Sequence, residues 1–384
     1  MKRNVITFFS KILIFLLKFF KIKLFKLNVG RIGHLVELFF LYNLRAEKEK
    51  NTKFLCYLYY SNKISNKYLF NKFKKHLNII PYKIGNFLDR VINSLEMSDD
   101  QKNSVRVFDF LNKKSGWEYY NGEILDIQIT KDEETYFKNF LKDKNIRFPY
   151  VCINLWSFKH LKENYPGLDW SHHDLRLSND ENFTELINYI TEKKMNVVIM
   201  GHDPSRFKKI NNDKVFNYPS VRDDILDVLL IKNCYCYISD STGLDYLAFA
   251  FKRPMLLNSP FLNFFFNKND KLVYLLKSQF NVKKNRTSTL NEMLYEDDTL
   301  FKVKSEFYKK NNIIIKDNNS FEILDAYKNL DFLIKNNYCE KKIEKYSEKF
   351  WNTYKQALLE KNFKEKNHYK NGPYPYVYNN IELN

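Results

Sequence analysis

Cysteine is scarce in this sequence, with five residues among 384. The five, an odd number, are Cys56, Cys152, Cys234, Cys236 and Cys339. Most of them lie in apolar, strand-like runs, and the two that are one residue apart do not have the spacing of a zinc site. We therefore expect reduced thiols in the core of a cytoplasmic protein.

Several catalytic signatures are also missing. The sequence has no Walker lysine motif, no G-x-S-x-G, no H-E-x-x-H and no zinc ligand set, which argues against an ATPase, an esterase or a metalloprotease. It has no RNA-binding signature, zinc finger or arginine-rich tract, so we expect no nucleic-acid partner despite a formal charge of +18. Two explanations of the charge stay open: an anionic partner such as a membrane or a phosphorylated substrate, or lysines scattered over a solvated surface.

Long uninterrupted apolar runs are absent as well. Lys11 and Lys18 interrupt the apolar N-terminus, and the stretch 12–17 is far shorter than the roughly 20 residues that cross a bilayer. No small-residue cleavage site follows, so we expect no signal peptide. On a helical wheel, Lys11, Lys18 and Lys21 fall in one stripe, which predicts for residues 1–20 an amphipathic helix on an anionic membrane surface. A terminal helix packed on its own protein and a true span are the alternatives.

The length of 384 residues suits two domains of roughly 150 residues each. Strand-like and helix-like segments alternate along the chain, which indicates an α/β fold with parallel sheets. The second half reads as β-α-β-α-β, the pattern of a doubly wound domain. We place an N-terminal domain at 21–148, a C-terminal domain at 149–335, and a helical tail at 336–384 that packs back on the N-terminal domain.

Glycine is scarce too, with nine residues, yet two of them, Gly30 and Gly33, surround Arg31 directly after the first predicted strand. Glycine allows close backbone approach, and the next helix would point free N–H groups at this loop, where an anion or a sugar hydroxyl could bind. His34 would then stand at a cleft edge as a general base near neutral pH. A tight turn capped by the histidine is the alternative.

The residues H-H-D-L-R at 172–176 lie in a polar loop between a predicted strand and the next helix. Arg176 could bind a carboxylate or a phosphate in bidentate fashion, with Asp174 orienting it. A metal site is a weaker alternative because the adjacent His172 and His173 point in different directions in extended backbone. A plain solvated loop is the third possibility.

Two further loops follow strands. The loop S-D-S-T-G at 239–243 comes before a short helix, whose dipole and free amides suit a pyrophosphate. Its candidate residues are Asp240, Ser241, Thr242 and Gly243. Ordinary N-capping by a hydroxyl is the alternative. Gly201, in M-G-H-D-P-S, ends another predicted strand in a possible nucleotide-contact loop. Ligands of doubly wound sheets bind outside the carboxyl ends of the strands, so these loops are the candidate binding sites.

The order of these motifs resembles that of a family of bacterial glycosyltransferases associated with surface-carbohydrate genes. The matching segments are R-I-G-H-L at 31–35, H-D-L-R at 173–176, M-G at 200–201 and T-G-L at 242–244. The arrangement is also similar to the lipopolysaccharide heptosyltransferases, which have the GT-B fold of two facing, Rossmann-like domains. The resemblance covers about residues 31 to 260.

This resemblance implies an inverting, metal-independent glycosyltransferase without a cofactor, whose substrates are a nucleotide-sugar donor and a surface-glycan or lipid-linked acceptor. His34 would be the catalytic base, where heptosyltransferases usually have aspartate, and Arg176 and the 241–243 turn would face the donor phosphates. The remaining expected binding residues are Gly30, Arg31, Gly33, His173, Asp174, Gly201 and Asp240. The chain departs from the family at 154–156, Asn-Leu-Trp instead of a histidine and a basic residue, and at Thr242, where serine is commoner.

Two other functions stay open at this point. A degenerate GT-B scaffold would bind a carbohydrate or nucleotide without turnover. A nucleotide-sugar epimerase shares the two-domain plan and would convert the donor alone. We expect the protein in the cytoplasm, with its N-terminal helix at the inner face of the membrane.

Overall fold

The structure is a computed structural model, and the chain divides into two compact units, Met1–Ile127 and Gln128–Asn384. The described residues are 2–58, 64–93, 104–107, 126–164, 166–262, 270–296, 299–301, 305–361, 374–378 and 380–383. Each unit contains a parallel sheet covered by helices. The predicted α/β class with two Rossmann-like units is therefore confirmed.

The first unit is built around a small parallel sheet. Its helices are α1 (Lys2–Phe19), α2 (Ile32–Lys48), α3 (Lys67–Lys74) and α4 (Tyr82–Asn93), and its strands are β1 (Ile22–Leu27), β2 (Lys53–Leu58) and β3 (Arg106–Val107). The first strand lies between the other two, and all three are parallel. The residues that follow β1 therefore lie where the strand order changes direction.

Helices pack on both faces of this sheet because side chains alternate along each strand. On one face, Leu24 and Tyr57 join buried side chains of α1 and α4 in a hydrophobic cluster. On the other face, Tyr42 of α2 packs against Phe25 and Phe54, with ring centroids 5.8 and 5.7 Å away. The unit is thus a three-layer α/β structure.

The second unit is larger and contains two sheets. Its helices are α5 (Lys131–Asp143), α6 (Lys159–Asn164), α7 (Thr184–Glu192), α8 (Asp224–Asn233), α9 (Asp245–Ala250), α10 (Ser305–Lys310), α11 (Ser320–Asn336) and α12 (Lys341–Glu360). Its strands are β4 (Tyr150–Asn154), β5 (Asn196–Ile199), β6 (Val215–Asn217), β7 (Tyr237–Ser239), β8 (Met255–Ser259), β9 (Leu272–Leu276), β10 (Ser278–Asn281), β11 (Arg286–Thr287), β12 (Ile313–Lys316) and β13 (Tyr376–Val377). Strands β10 to β12 form a small antiparallel sheet that the sequence did not predict.

The main sheet of this unit has the order β13-β9-β8-β7-β4-β5-β6, and all its pairs are parallel. The chain starts in the middle at β4, adds β5 and β6 on one side, and then adds β7 to β9 on the other, as in a Rossmann-type sheet. One face packs against α7 and α11. The other faces α8, where the Tyr150 hydroxyl donates to the Leu230 carbonyl oxygen at 2.8 Å. The predicted doubly wound architecture is therefore present here.

The boundary between the units falls earlier than the predicted division at 148/149. Helix α5 belongs to the second unit because Phe140 packs against Phe216 and Tyr218, with ring centroids 5.9 and 6.4 Å apart. The charged sequence of this helix gave no sign of that contact, which depends on a few aromatic residues.

The tail at 336–384, predicted to pack on the N-terminal domain, has its described residues in the core of the second unit. Strand β13 pairs with β9 at the edge of the main sheet, and Ile343 of α12 lies in the same core cluster as β4 and β5. The Trp351 indole N–H donates to the Pro375 carbonyl oxygen at 2.7 Å, which ties the helix to the segment before β13. The tail thus completes the second unit.

All five cysteines are buried and free, which confirms the predicted core thiols. Within the described part of the chain, no helix combines the length and the apolarity that a membrane span requires. Helix α1 packs on its own unit through Ser10, Ile14 and Leu17, each at most 7% exposed. The side of α1 that carries these three residues therefore packs on the protein, as the alternative of a packed terminal helix predicted.

Candidate functional site

The second unit has a topological switch point between β4 and β7, because the strands after β4 are added first on one side and then on the other. Ligands of such sheets bind in the crevice outside the carboxyl ends of the strands at this point. The loops at 200–205 and 239–243 follow β5 and β7, so both predicted loops lie at this edge.

Asn154, the last residue of β4, connects these loops. Its amide nitrogen donates to the Thr242 hydroxyl at 2.6 Å and to the Tyr237 hydroxyl at 3.0 Å. Gly201 approaches from the other side: its φ is +101°, and a Cβ at this position would lie 2.7 Å from Asn154 Oδ1. Asn154, which the sequence marked only as a departure from a family pattern, therefore joins the end of β4 to β7 and its turn and lies close to the backbone of Gly201 after β5.

Replacing Gly201 with alanine is expected to lower the free energy of unfolding by about 2–4 kcal/mol, because left-handed strain and overlap with a fixed amide add together. Gly167 is the matched control, since its φ is +83° and a Cβ there would meet nothing within 4 Å. Gly167→Ala should cost only about 1 kcal/mol of strain. Urea unfolding of both variants measures the difference, and equal losses would contradict the packing role of Gly201.

Asp240 is fully buried behind the same edge. Its Oδ1 accepts a hydrogen bond from the Trp156 backbone N–H, and its Oδ2 has no partner among the described residues. Burial raises the pKa of Asp240 to about 7, although the positive charges of Lys277 and Arg206 oppose the shift. The carboxyl group therefore fixes the backbone of Trp156 and changes its charge near neutral pH.

This raised pKa predicts a pH dependence of stability. Between the ordinary value of 3.8 and about 7, the native state keeps a proton that the unfolded chain has lost, so the contribution of Asp240 to stability falls as pH rises through this window. Asp240→Asn keeps an oxygen acceptor but cannot ionise. The free energy of unfolding of Asp240→Asn minus that of the wild type should therefore increase by about 2 kcal/mol from pH 5 to pH 8. Urea unfolding at both pH values tests this, and a pH-independent difference would rule it out.

Arg176 reaches this edge from a short 3₁₀ helix. Its guanidinium carbon lies 5.2 Å from the Trp156 ring centre and 5.1 Å from that of Phe261, so the cation is stacked between two aromatic faces. Its Nη1 donates to the Ser241 carbonyl oxygen at 3.1 Å. Asp174, which the sequence proposed as the orienting group, has an exposed side chain. The aromatic rings and the 241 carbonyl contribute to the direction of the guanidinium, and the orienting role of Asp174 stays a prediction.

The segment 172–176, predicted as a loop, lies within the 3₁₀ helix Ser171–Arg176. His173 is buried in it, with its ring 4.7 Å from that of Trp156 and 6.0 Å from that of Trp170. His173 therefore supports the Trp156 ring that stacks on the arginine. The side chain of His172 lies outside the described residues.

The 239–243 turn is held by hydrogen bonds within the protein. The hydroxyls of Ser239 and Thr242 donate to Asp245 Oδ1 at 2.6 and 2.8 Å. The hydroxyl of Ser241, whose φ is +68°, donates to the Ser259 hydroxyl at 2.8 Å. Ser241 and Thr242, whose hydroxyls were the candidates for N-capping, do not cap α9, because its N-cap residue is Leu244. A ligand at this turn would therefore meet backbone groups and Arg176 rather than these hydroxyls.

A cavity of about 450 Å³ opens beside this edge, within the usual range for small-molecule sites. Among its lining residues are Trp156, Lys159, Lys162, Glu163, Asp203 and Arg206. Burial raises the pKa of Asp203, but hydrogen bonds from Ser205 and Ser157 outweigh this, and the net pKa is lowered. Arg206 is paired with Asp180 at 2.8 Å, so Lys159 and Lys162 are the lining cations that stay available to an anionic group of a ligand.

In the first unit, the predicted base lies at the corresponding place in its own sheet. Gly30 and Arg31 connect β1 to α2, whereas Gly33 and His34 lie in the first turn of α2. Gly33 is buried and His34 is half-buried. Neither glycine has a positive φ, so neither position depends on the left-handed backbone that favours glycine.

The structure thus groups Arg176, Gly201 and the 240–243 turn at one edge of the second unit, and it places the 30–34 segment in the first. Sequence reasoning assigned no role in the site to Asn154, Trp156 and Phe261, although their positions at the end of β4 or two residues after β4 and β8 were a usable signal. Within the described residues, no group of three or more His, Cys, Asp or Glu side chains could hold a metal ion.

No family model matches the sequence, and no curated protein matches it. Among solved structures, the chain is similar to the ADP-heptose LPS heptosyltransferase II of E. coli, with 13% identity, a TM-score of 0.46, and coverage of 82% of this chain and 99% of that one. A family 9 glycosyl transferase from Veillonella parvula has 11% identity, a TM-score of 0.44, and coverage of 67% and 86%. The UDP-GlcNAc 2-epimerase of Methanocaldococcus jannaschii has 11% identity, a TM-score of 0.34, and coverage of 81% and 99%. These distant likenesses do not distinguish a transferase from an epimerase, so the function must come from the site.

Proposed function

We propose that this chain is a glycosyltransferase that moves a sugar from a nucleotide-sugar donor to a surface-glycan or lipid-linked acceptor, with inversion and without a metal. The observation that carries the proposal is the stacked Arg176 at the switch point of the main sheet of the second unit, beside a cavity lined by Lys159 and Lys162. A nucleoside diphosphate combines a flat base with a pyrophosphate, and both features match aromatic and cationic groups at one sheet edge.

On the donor side, the guanidinium of Arg176 donates to the 241 carbonyl oxygen, and its planar fork of N–H donors is the kind of group that binds phosphate oxygens in bidentate fashion. Lys159 and Lys162 line the adjoining cavity and add positive charge. Because the guanidinium of Arg176 is held between two rings before the reaction, it would stabilise the negative charge that develops on the leaving diphosphate.

On the acceptor side, His34 is the proposed general base. Its imidazole would take the proton of an acceptor hydroxyl while that oxygen attacks the anomeric carbon. A new carbon–oxygen bond forms, and the bond from the anomeric carbon to the phosphate oxygen breaks. The electron pair leaves with the nucleoside diphosphate. Attack opposite the leaving group inverts the anomeric configuration.

A transfer assay tests this proposal. The purified protein would be incubated with ADP-, UDP-, GDP-, CDP- and dTDP-sugars and with lipid-linked or free glycan acceptors, and NMR would assign the anomeric configuration of the product. We expect transfer with inversion from one donor class and an unchanged rate in EDTA. Conversion of a donor without acceptor would instead identify an epimerase, and nucleotide binding without turnover would identify a binding protein.

A further inference from the structure

The outward faces of α1 and α4 carry large apolar side chains in contact with solvent. On α1 and the residue after it, the exposed side chains are Ile12, Phe15, Leu16, Phe19 and Phe20, from 40% to 68% exposed. The first four follow the i, i+3, i+4, i+7 spacing of one helix face. This face lies opposite the buried residues Ser10, Ile14 and Leu17. One side of α1 therefore packs on the sheet, and the other exposes an aromatic stripe.

Helix α4 repeats the pattern beside it. Ile84 is 52% exposed and Phe87 is 63% exposed, one turn apart, with Tyr82 at 45%. The inward face carries Gly85, where a Cβ would overlap the Tyr57 ring, so this helix lies close against β2. Helices α1 and α4 contact each other and share one hydrophobic cluster. Because both helices pack on the same face of the sheet, we call their exposed apolar side chains together the two-helix surface.

Among the described residues of α1, α4 and the turn after α1, the exposed charges are all positive. These cations are Lys11, Lys18, Lys21, Lys83 and Arg90. Helix α1 contains no acidic residue. The acid of α4, Asp89, is half-buried and bonded to Arg106 at 2.8 Å. A second copy of this chain would bring cations against cations, which is unfavourable. Phenylalanine flanked by lysine is instead the composition that binds the interface of an anionic bilayer.

We propose that the two-helix surface docks on an anionic lipid bilayer, with side chains of both helices inserted among the headgroups. The sequence predicted such a role for α1 alone, and the structure adds α4 as an equal part. This inference does not depend on the transferase proposal, because lipid binding is measured without any nucleotide-sugar.

Sedimentation with vesicles tests the proposal on the full chain. Vesicles of phosphatidylcholine with one quarter phosphatidylglycerol should bind the protein at least about tenfold more strongly than pure phosphatidylcholine, and added salt should remove most of the difference. Phe19→Ser and Phe87→Ser should each weaken binding by about tenfold. Phe321→Ser is the matched control, since this side chain is 70% exposed in the second unit, and it should bind as the wild type does.

Three results would overturn the proposal. If Phe87→Ser bound vesicles as strongly as the wild type, α4 would have no part in docking. If neutral and anionic vesicles bound the protein equally, the exposed cations of the two-helix surface would not contribute to docking. Absence of vesicle binding, together with a dimer that Phe19→Ser dissociates, would identify a protein interface instead. Circular dichroism and nucleotide binding should be unchanged in Phe19→Ser and Phe87→Ser. Weaker vesicle binding would then reflect a loss of docking and not a loss of folding or of the donor site.

Discussion

Alanine in place of Arg176 is expected to lower kcat/KM for sugar transfer by about 10²- to 10³-fold, the range seen when a fixed charge-stabilising group is removed. The effect should be large because the guanidinium is held between the Trp156 and Phe261 rings and costs little reorganisation when charge develops on the leaving diphosphate. Steady-state kinetics with the best donor measures the loss. Donor affinity should weaken together with kcat.

Arg147 provides the control for this variant, since it is an exposed arginine in the same unit, and Arg147→Ala should keep wild-type kinetics. Arg176→Lys should recover part of the activity, because lysine retains the charge but not the planar fork that binds two phosphate oxygens and stacks on rings. If alanine at 176 left both kinetic constants unchanged, this arginine would have no part in donor binding.

Alanine in place of His34 should lower kcat by about 10²- to 10⁴-fold, the usual contribution of a positioned general base. Donor affinity should stay near the wild-type value, because the donor-binding groups proposed here belong to the second unit. Added imidazole should restore part of the rate if a proton acceptor is what the variant lacks. Measuring kcat, KM for the donor and imidazole rescue separates this role from a structural one.

His76 is the matched histidine, exposed and also in the first unit. His76→Ala should transfer sugar at the wild-type rate. A His34→Ala enzyme with unchanged kcat would assign His34 to the first turn of α2 as a structural residue only. A stable variant whose lost activity does not respond to imidazole would also count against the base assignment.

Much of the fold could be predicted from residue pattern, because period-two and period-3.6 segments alternate where strands and helices form. The pattern of buried strands such as β4 and β7 was clear, since every residue of each is buried. The short strand β13 could not be predicted, because two residues are too few to show an alternating pattern. Its pairing with β9 also joins positions about a hundred residues apart. The predicted domain boundary was placed too late for a similar reason, because the contacts of Phe140 with Phe216 and Tyr218 join residues more than seventy positions apart.

The sequence predicted which loops lie at the site, but it did not predict which residues contact one another there. Loops after strands are readable in sequence, and Arg176 and the 239–243 turn do meet at one edge. What the sequence could not supply was the pairing across the chain: Arg176 and Ser241 are 65 residues apart. The use of Ser241 and Thr242 hydroxyls inside the turn follows from buried geometry, and no local pattern distinguishes it from ligand binding.

The most direct test of the account is the melting temperature of the protein with ADP, UDP, GDP, CDP and dTDP, because a ligand held only by the native state stabilises it. At concentrations about a hundredfold above its dissociation constant, the right diphosphate should add about 2.7 kcal/mol to stability. We expect a clear rise for the wild type and for Arg147→Ala, and little or none for Arg176→Ala. If no diphosphate raised the wild-type melting temperature, or if Arg176→Ala responded as strongly as the wild type, the nucleotide site proposed at the β4–β7 edge would be contradicted.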